Sequence, residues 1–85
     1  MSSLDTNFYP FSGVFSGSKT EEFPLAVRSL HITNRSGAEV LNVKFDDKDA
    51  YFELAPTEIL TMDRVHIRKV IMTSPSGDYR ILGKG

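Results

Sequence analysis

Apolar and polar residues alternate most clearly in the middle of the chain. Leu41, Val43 and Phe45 fall on one side of an extended segment, and Asn42 and Lys44 on the other. A period of two predicts a strand half-buried on one face. Asp46-Asp47-Lys48-Asp49 interrupts it with turn chemistry. Ala50-Tyr51-Phe52-Glu53-Leu54 then resumes the alternation, with Phe52 and Leu54 as the matching inward pair. Residues 40–54 are therefore expected to form an antiparallel hairpin with Val43 and Phe45 in the core.

The pattern extends through the C-terminal part. Leu25-Ala26-Val27 leads into Leu30-His31-Ile32-Thr33-Asn34, and the apolar parity shifts between Val27 and Leu30. That shift predicts a bulge or a strand start near Ser29. Asn34-Arg35-Ser36-Gly37 is a turn by composition. Pro56 breaks pairing after Leu54, because proline has no N–H for a central ladder. A strand over residues 58–63 follows, with Leu60 and Met62 facing in; a helix over 58–64 capped by Thr57 is the competing expectation. Another strand spans residues 65–73. Ser74-Pro75-Ser76-Gly77-Asp78 is expected to be a hairpin loop, and Tyr79-Arg80-Ile81-Leu82 the last strand. Six short strands at this spacing predict an all-β fold, a small antiparallel β-sandwich or barrel-like domain over residues 25–85.

Residues 1–24 are expected to form an extended arm. Serine, glycine and proline recur there without a sustained period, which alone would suggest a flexible segment. Yet Phe8, Tyr9, Phe11, Phe15 and Phe23 lie in it, five of the nine aromatic residues of the chain. Two readings stand. In one, the arm lies back across its own domain and its rings cap the core. In the other, these five residues are partner-binding anchors that order on a neighbouring subunit.

Composition narrows the function classes. The chain has 85 residues, a size at which one domain is only marginally stable alone. It has no cysteine, so disulfides, thiolate zinc sites and thiol catalysis are excluded. Oligomerisation or docking on a partner is the remaining source of stability. The net charge of −1 lacks the basic excess of a phosphate-binding protein. No apolar run is long enough to span a membrane, and the N-terminus lacks a signal-peptide layout. The chain is thus expected to be made in the cytoplasm, and Asn34-Arg35-Ser36 to be a turn rather than a glycosylation site.

Candidate chemistry is sparse. His31 and His66 have no close-spaced third ligand, and each is expected to point to solvent. The acidic loop at 46–49 lacks the glycine and distal glutamate of a calcium loop. No nucleophile elbow or phosphate-cradling loop occurs. The expectation is a non-enzyme with no catalytic residue, no metal and no cofactor. Arg64, His66, Arg68 and Lys69 form one basic cluster, and Arg28, His31 and Arg35 another. A small barrel binding nucleic acid is therefore an alternative.

Leu30-His31-Ile32-Thr33-Asn34, then Val43-Lys44-Phe45, Leu54-Ala55-Pro56 and Gly77-Asp78-Tyr79-Arg80-Ile81 together resemble small structural proteins of tailed-phage virions. The resemblance covers about residues 29–82. Many such proteins carry a β-domain with an I-x-N strand, a V-x-F strand and an L-x-P turn. The family's frequent Pro-Gly at that turn is Pro56-Thr57 here. The resemblance implies a structural, non-catalytic role, with Asn34 and Pro56 serving the fold. On this basis the expected function is capsid decoration or a minor head protein. It would act in the virion as a homo-oligomer docked on the major capsid or another virion protein. A neck or tail component, or an interaction domain of a bacterial assembly, are the alternatives.

Overall fold

A computed structural model describes residues 8–46 and 51–85. It is all-β, with four strands: β1 (Phe8–Asn34), β2 (Leu41–Phe45), β3 (Phe52–Leu54) and β4 (Ile59–Lys84). All pairings are antiparallel, in the order β1-β4-β2-β3. No helix occurs among the described residues. Ile59 to Asp63 is strand, which decides against the alternative helix. Thr57, its would-be cap, has φ 68° in a turn.

β1 and β4 are long because they bend rather than stop. Ser74 to Asp78 is not the expected hairpin loop. Phe15 pairs with Gly77 and Gly17 with Ser74, so Pro75 and Ser76 together oppose Ser16 in a bulge. Gly17 supplies the φ of 93° needed there. The bulge takes Pro75 out of the ladder, where its missing N–H is harmless. A wider bulge separates Glu22↔Lys69 from Val27↔Ile67, and a further register shift follows before Ser29, where the parity change predicts one. Arg64, with φ 60°, marks a turn of direction in β4.

These bends divide the ladder into two four-stranded runs that face each other as a sandwich. In the first, residues 8–15 pair with 77–84, these with 29–34, and these in turn with 59–63. In the second, residues 17–22 pair with 69–74, these with β2, and β2 with β3. The core lies between the runs and includes Phe23, Leu30, Ile32, Val43, Met72 and Ile81, all fully buried. Each such large side chain contributes about 1.5–3 kcal/mol on burial. Gly83 is required by this packing: a Cβ there would come 2.5 Å from the Phe23 ring.

The expected central hairpin forms, with Leu41↔Leu54, Asn42↔Glu53 and Val43↔Phe52 in register. Leu41, Val43, Phe45 and Leu54 are buried. Phe52 departs from expectation, being 47% exposed. β3 is a three-residue edge, and the Phe52 ring leans on Phe45 at 5.6 Å at an open corner instead of entering the core. Asp47, Lys48 and Asp49 of the acidic loop lie outside the described residues.

Residues 8–24 are extended, as expected of the arm, but they belong to β1. Residues 8–22 pair with 69–84 of the same chain, and β1 continues through position 24 to Asn34. The sheet thus includes part of the arm together with residues 25–85.

Asn34 closes the other end of β1. It is buried, and its Nδ2 donates to the carbonyl oxygens of Glu39 (2.9 Å), Leu54 (3.0 Å) and Ala55 (3.1 Å). Its Oδ1 accepts from Ser36 N at 3.1 Å. The Ala55 N–H is taken by Glu58 Oε1 at 2.8 Å. One side chain thus ties the end of β1 to the end of the β2–β3 hairpin, with its own buried amide group paired on both atoms.

Candidate interaction surface

Alternation along a paired strand decides which residues face the core. In β1, Tyr9, Phe11 and Phe15 share one parity, and all three point inward. Tyr9 and Phe11 pack on Phe23, with ring centroids 6.0 and 5.4 Å away. Phe15 packs edge-on against Tyr79 at 5.9 Å and covers Gly77. Phe23 is completely buried. In the single chain these four residues pack on their own sandwich, the first of the two arrangements expected of the arm. Tyr9, Phe11 and Phe15 are half-buried against the core. Phe8 alone remains outside, 54% exposed, with the Lys84 ammonium 5.8 Å from its ring.

Paired residues share a face, so the register also lays out the outer surface of the first run. Phe8, Lys84, Ser29 and Asp63 form one row across the four strands. Pro10, Leu82, His31 and Thr61 form the next. Ser12, Arg80, Thr33 and Ile59 form the third, and Val14 stands beside Asp78 in the fourth. Val14 is 77% exposed and Ile59 61%. Apolar groups are thus spread over this face among polar ones, with Phe8, Val14 and Ile59 on its edge strands and Leu82, His31 and Arg80 in its middle. Sequence reasoning missed Val14, Leu82 and Ile59; their signal was parity, since each is apolar at a position that alternates with core residues.

The outer surface of the second run is different. Asn42 and Thr73 are paired, as are Lys44 and Ile71, and Glu22 and Lys69. Lys44 lies 5.1 Å over the Tyr51 ring. Among the described residues, Ile71 and this ring interrupt an otherwise polar face.

At the corner near Phe52, a cleft of about 400 Å³ opens between Phe45, Phe52, Met62, Val65, His66 and Ile67. Its walls are apolar side chains continuous with the core. Beside it, Asp46 Oδ1 accepts the backbone N–H groups of Arg68 (3.0 Å) and Lys69 (2.9 Å). Arg68 also reaches the Pro24 carbonyl at 3.3 Å and lies 4.0 Å from the Glu22 carboxylate. The basic cluster over residues 64–69 is thus interleaved with carboxylates. Arg28 and His31 lie on β1 and Arg35 just past its end, strung along about 20 Å of chain. His31 and His66 are both exposed. Among the described residues, no group of three His, Asp or Glu side chains gathers where a metal ion could be held.

Inside the sandwich, the Tyr79 hydroxyl donates to Glu21 Oε2, joining the two runs. Burial, then the hydrogen bond to Glu21 and its negative charge, push the Tyr79 pKa well above that of a free phenol. Ser74 Oγ, also buried, has no hydrogen-bond partner among the described residues.

No protein-family model matches the chain, and no curated protein sequence matches it. Solved structures do share the fold. A cupin superfamily protein from Desulfitobacterium hafniense superposes with a TM-score of 0.59 at 16% identity, over 98% of this chain and 70% of that one. Drosophila melanogaster CENP-C bound to CAL1 gives 0.52 at 14% identity, over 89% and 60%. The CENP-C cupin domain gives 0.52 at 12% identity, over 89% and 56%. The chain therefore has the antiparallel architecture of cupin domains and spans between about half and two thirds of the CENP-C chains. Identities this low speak to fold alone.

Proposed function

We propose that this protein is a non-enzymatic structural module that works by docking within a larger assembly, of the kind found in tailed-phage virions. The observation that carries the reading is the asymmetry of the two outer faces. One presents Phe8, Pro10, Val14 and Ile59 to solvent, with Leu82 half-buried among them, and the other is polar apart from Ile71 and Tyr51. Apolar groups gathered on one side mark contact surfaces, whereas singly scattered ones need no explanation.

The resemblance to virion proteins adds support. Its I-x-N and L-x-P segments meet in space, because Asn34 Nδ2 binds the carbonyls of Leu54 and Ala55. A scaffold of this fold is also known bound to another protein, in the CENP-C–CAL1 pair. With Tyr9, Phe11, Phe15 and Phe23 packed on the chain's own core, the surface in this reading is the outer face of the first run.

The test is whether the native protein travels with particles through a density gradient, in both low and high salt. Co-sedimentation that survives salt and is lost in a Val14→Lys variant is the expected result. A protein that stays at the top of the gradient refutes the reading. So does binding to single-stranded nucleic acid that falls steeply with salt, the signature of phosphate contacts.

A further inference from the structure

We infer that the outer face of the first run mates with the same face of a second copy of this chain, about a two-fold axis lying in the contact plane and crossing the strands. The inference rests on the assembly reading only in taking this face as a contact surface; it names the occupant.

The argument is one of register. Phe8 and Val14 stand six residues apart on the edge strand. Beside them, Lys84 and Asp78 stand six apart on the neighbouring antiparallel strand. Both separations are about 20 Å. A two-fold crossing midway exchanges the ends of these columns. It brings Phe8 onto Val14 of the copy and Lys84 onto Asp78 of the copy, each contact occurring twice, as an isologous interface requires. Leu82 then meets the methylene stem of Arg80. The other in-plane axis, parallel to the strands, would exchange the first and fourth columns. It sets Phe8 against Asp63 and leaves Lys84 over Ser29, so it matches neither charge nor apolar surface. Charge complementarity selects the crossing axis.

Stacking of faces is also favoured over pairing of edges. Pro10 interrupts the free edge of residues 8–15, and Lys19 projects toward the inner side of the edge that continues it. Packed sheets rotate by about 30° relative to each other, which displaces the outer rows by a few Å, within the reach of a lysine side chain. The paired face measures about 20 Å by 20 Å, about 800 Å² over the two partners, below the roughly 1,200 Å² of a stable interface and in the range of weak, transient contacts. The dimer is therefore expected to dissociate on dilution.

The test is sedimentation equilibrium of the full chain over a wide concentration range at low salt. A reversible monomer–dimer equilibrium is expected. Val14→Lys should weaken it by about tenfold or more, a change of about 1.4 kcal/mol. Lys84→Asp and Asp78→Lys should each weaken it, and the double exchange should restore it. Melting curves establish that each variant is folded, with Val14→Ser replacing Val14→Lys if the latter unfolds. A chain that stays monomeric at every concentration overturns the inference, and so does a double exchange as weak as the single ones. A monomer that still sediments with particles overturns the dimer and leaves the assembly reading standing. A dimer that binds no particle does the reverse.

Discussion

Asn34→Asp changes one NH2 group into an oxygen and leaves the shape of the side chain intact. In the protein, that NH2 faces three carbonyl oxygens, those of Glu39, Leu54 and Ala55, at 2.9–3.1 Å. The Ser36 N–H on the other oxygen would be kept. The substitution therefore removes donors from a buried site and sets a carboxylate against acceptors. Losing the hydrogen bonds alone costs about 1 kcal/mol each, more for a carbonyl left without any partner. A buried charge without compensation raises the total to about 3–5 kcal/mol. Against a typical domain stability of about 5–15 kcal/mol, this is a large share.

The same geometry fixes the pH dependence. Burial among carbonyls raises the pKa of the introduced carboxyl above its unfolded value of about 3.9. A raised carboxyl is most compatible with folding below its unfolded pKa, and that compatibility is lost as pH rises through the folded pKa. The deficit of the variant relative to the parent should be full at neutral pH and shrink toward about pH 4. Urea unfolding followed by far-ultraviolet circular dichroism measures both. A deficit under about 0.5 kcal/mol at neutral pH, or one that grows on acidification, would refute the assignment of Asn34 as a donor hub.

Other outcomes follow from the packing. Deleting residues 1–20 should unfold the chain, because the strand pairing of 8–20 and the rings on Phe23 and Tyr79 go with them; a cooperative melt of the truncated chain would show the pairing to be dispensable. Phe45→Ala should cost about 3–5 kcal/mol, and an unchanged denaturation midpoint would contradict its burial. Gly83→Ala should cost about 1–3 kcal/mol, since the added methyl enters the Phe23 ring, and a neutral result would mean the ring moves freely. The raised pKa of Tyr79 contributes stability that is present below the free phenol value of about 10 and lost as pH rises through the folded value. Tyr79→Phe should therefore be less sensitive to alkali than the parent. Glu21→Gln should lower the alkaline transition of Tyr79 in ultraviolet titration.

The hairpin at residues 40–54 was legible because its alternation is clean and each strand is straight. The parity shift before Leu30 announced a real change of register for the same reason. Bends were harder to read. Pro75, Ser76 and Gly77 carry turn chemistry because the strand bulges there, and composition alone does not separate a bulge from a loop. The arm misled for a related reason. Tyr9, Phe11 and Phe15 already show period two, but Ser, Gly and Pro at the intervening positions dilute it. A strand at the edge of a sheet tolerates such residues, since one side of its backbone needs no partner. The outer face could not be assembled from sequence, because its rows join residues 8, 84, 29 and 63, which only the register brings side by side.

The two apolar openings of this molecule have different standing as contact surfaces. The corner cleft is walled by residues that also hold the core: Phe52 covers Phe45, and Met62 and Val65 pack against buried neighbours. Apolar side chains there have a reason to exist without any partner. Val14 has none. It is 77% exposed on an edge strand opposite Asp78, where a polar residue would serve the fold as well. Ile59, 61% exposed on the far edge of the same face, is in the same position. One such residue is ordinary, but Val14 and Ile59 stand with Phe8 at the edges of one face whose middle carries Leu82, His31 and Arg80. Substitutions at Phe52 mix folding and binding effects. Those at Val14 separate them, which makes Val14 the position where an assembly function of this protein is best put to the test.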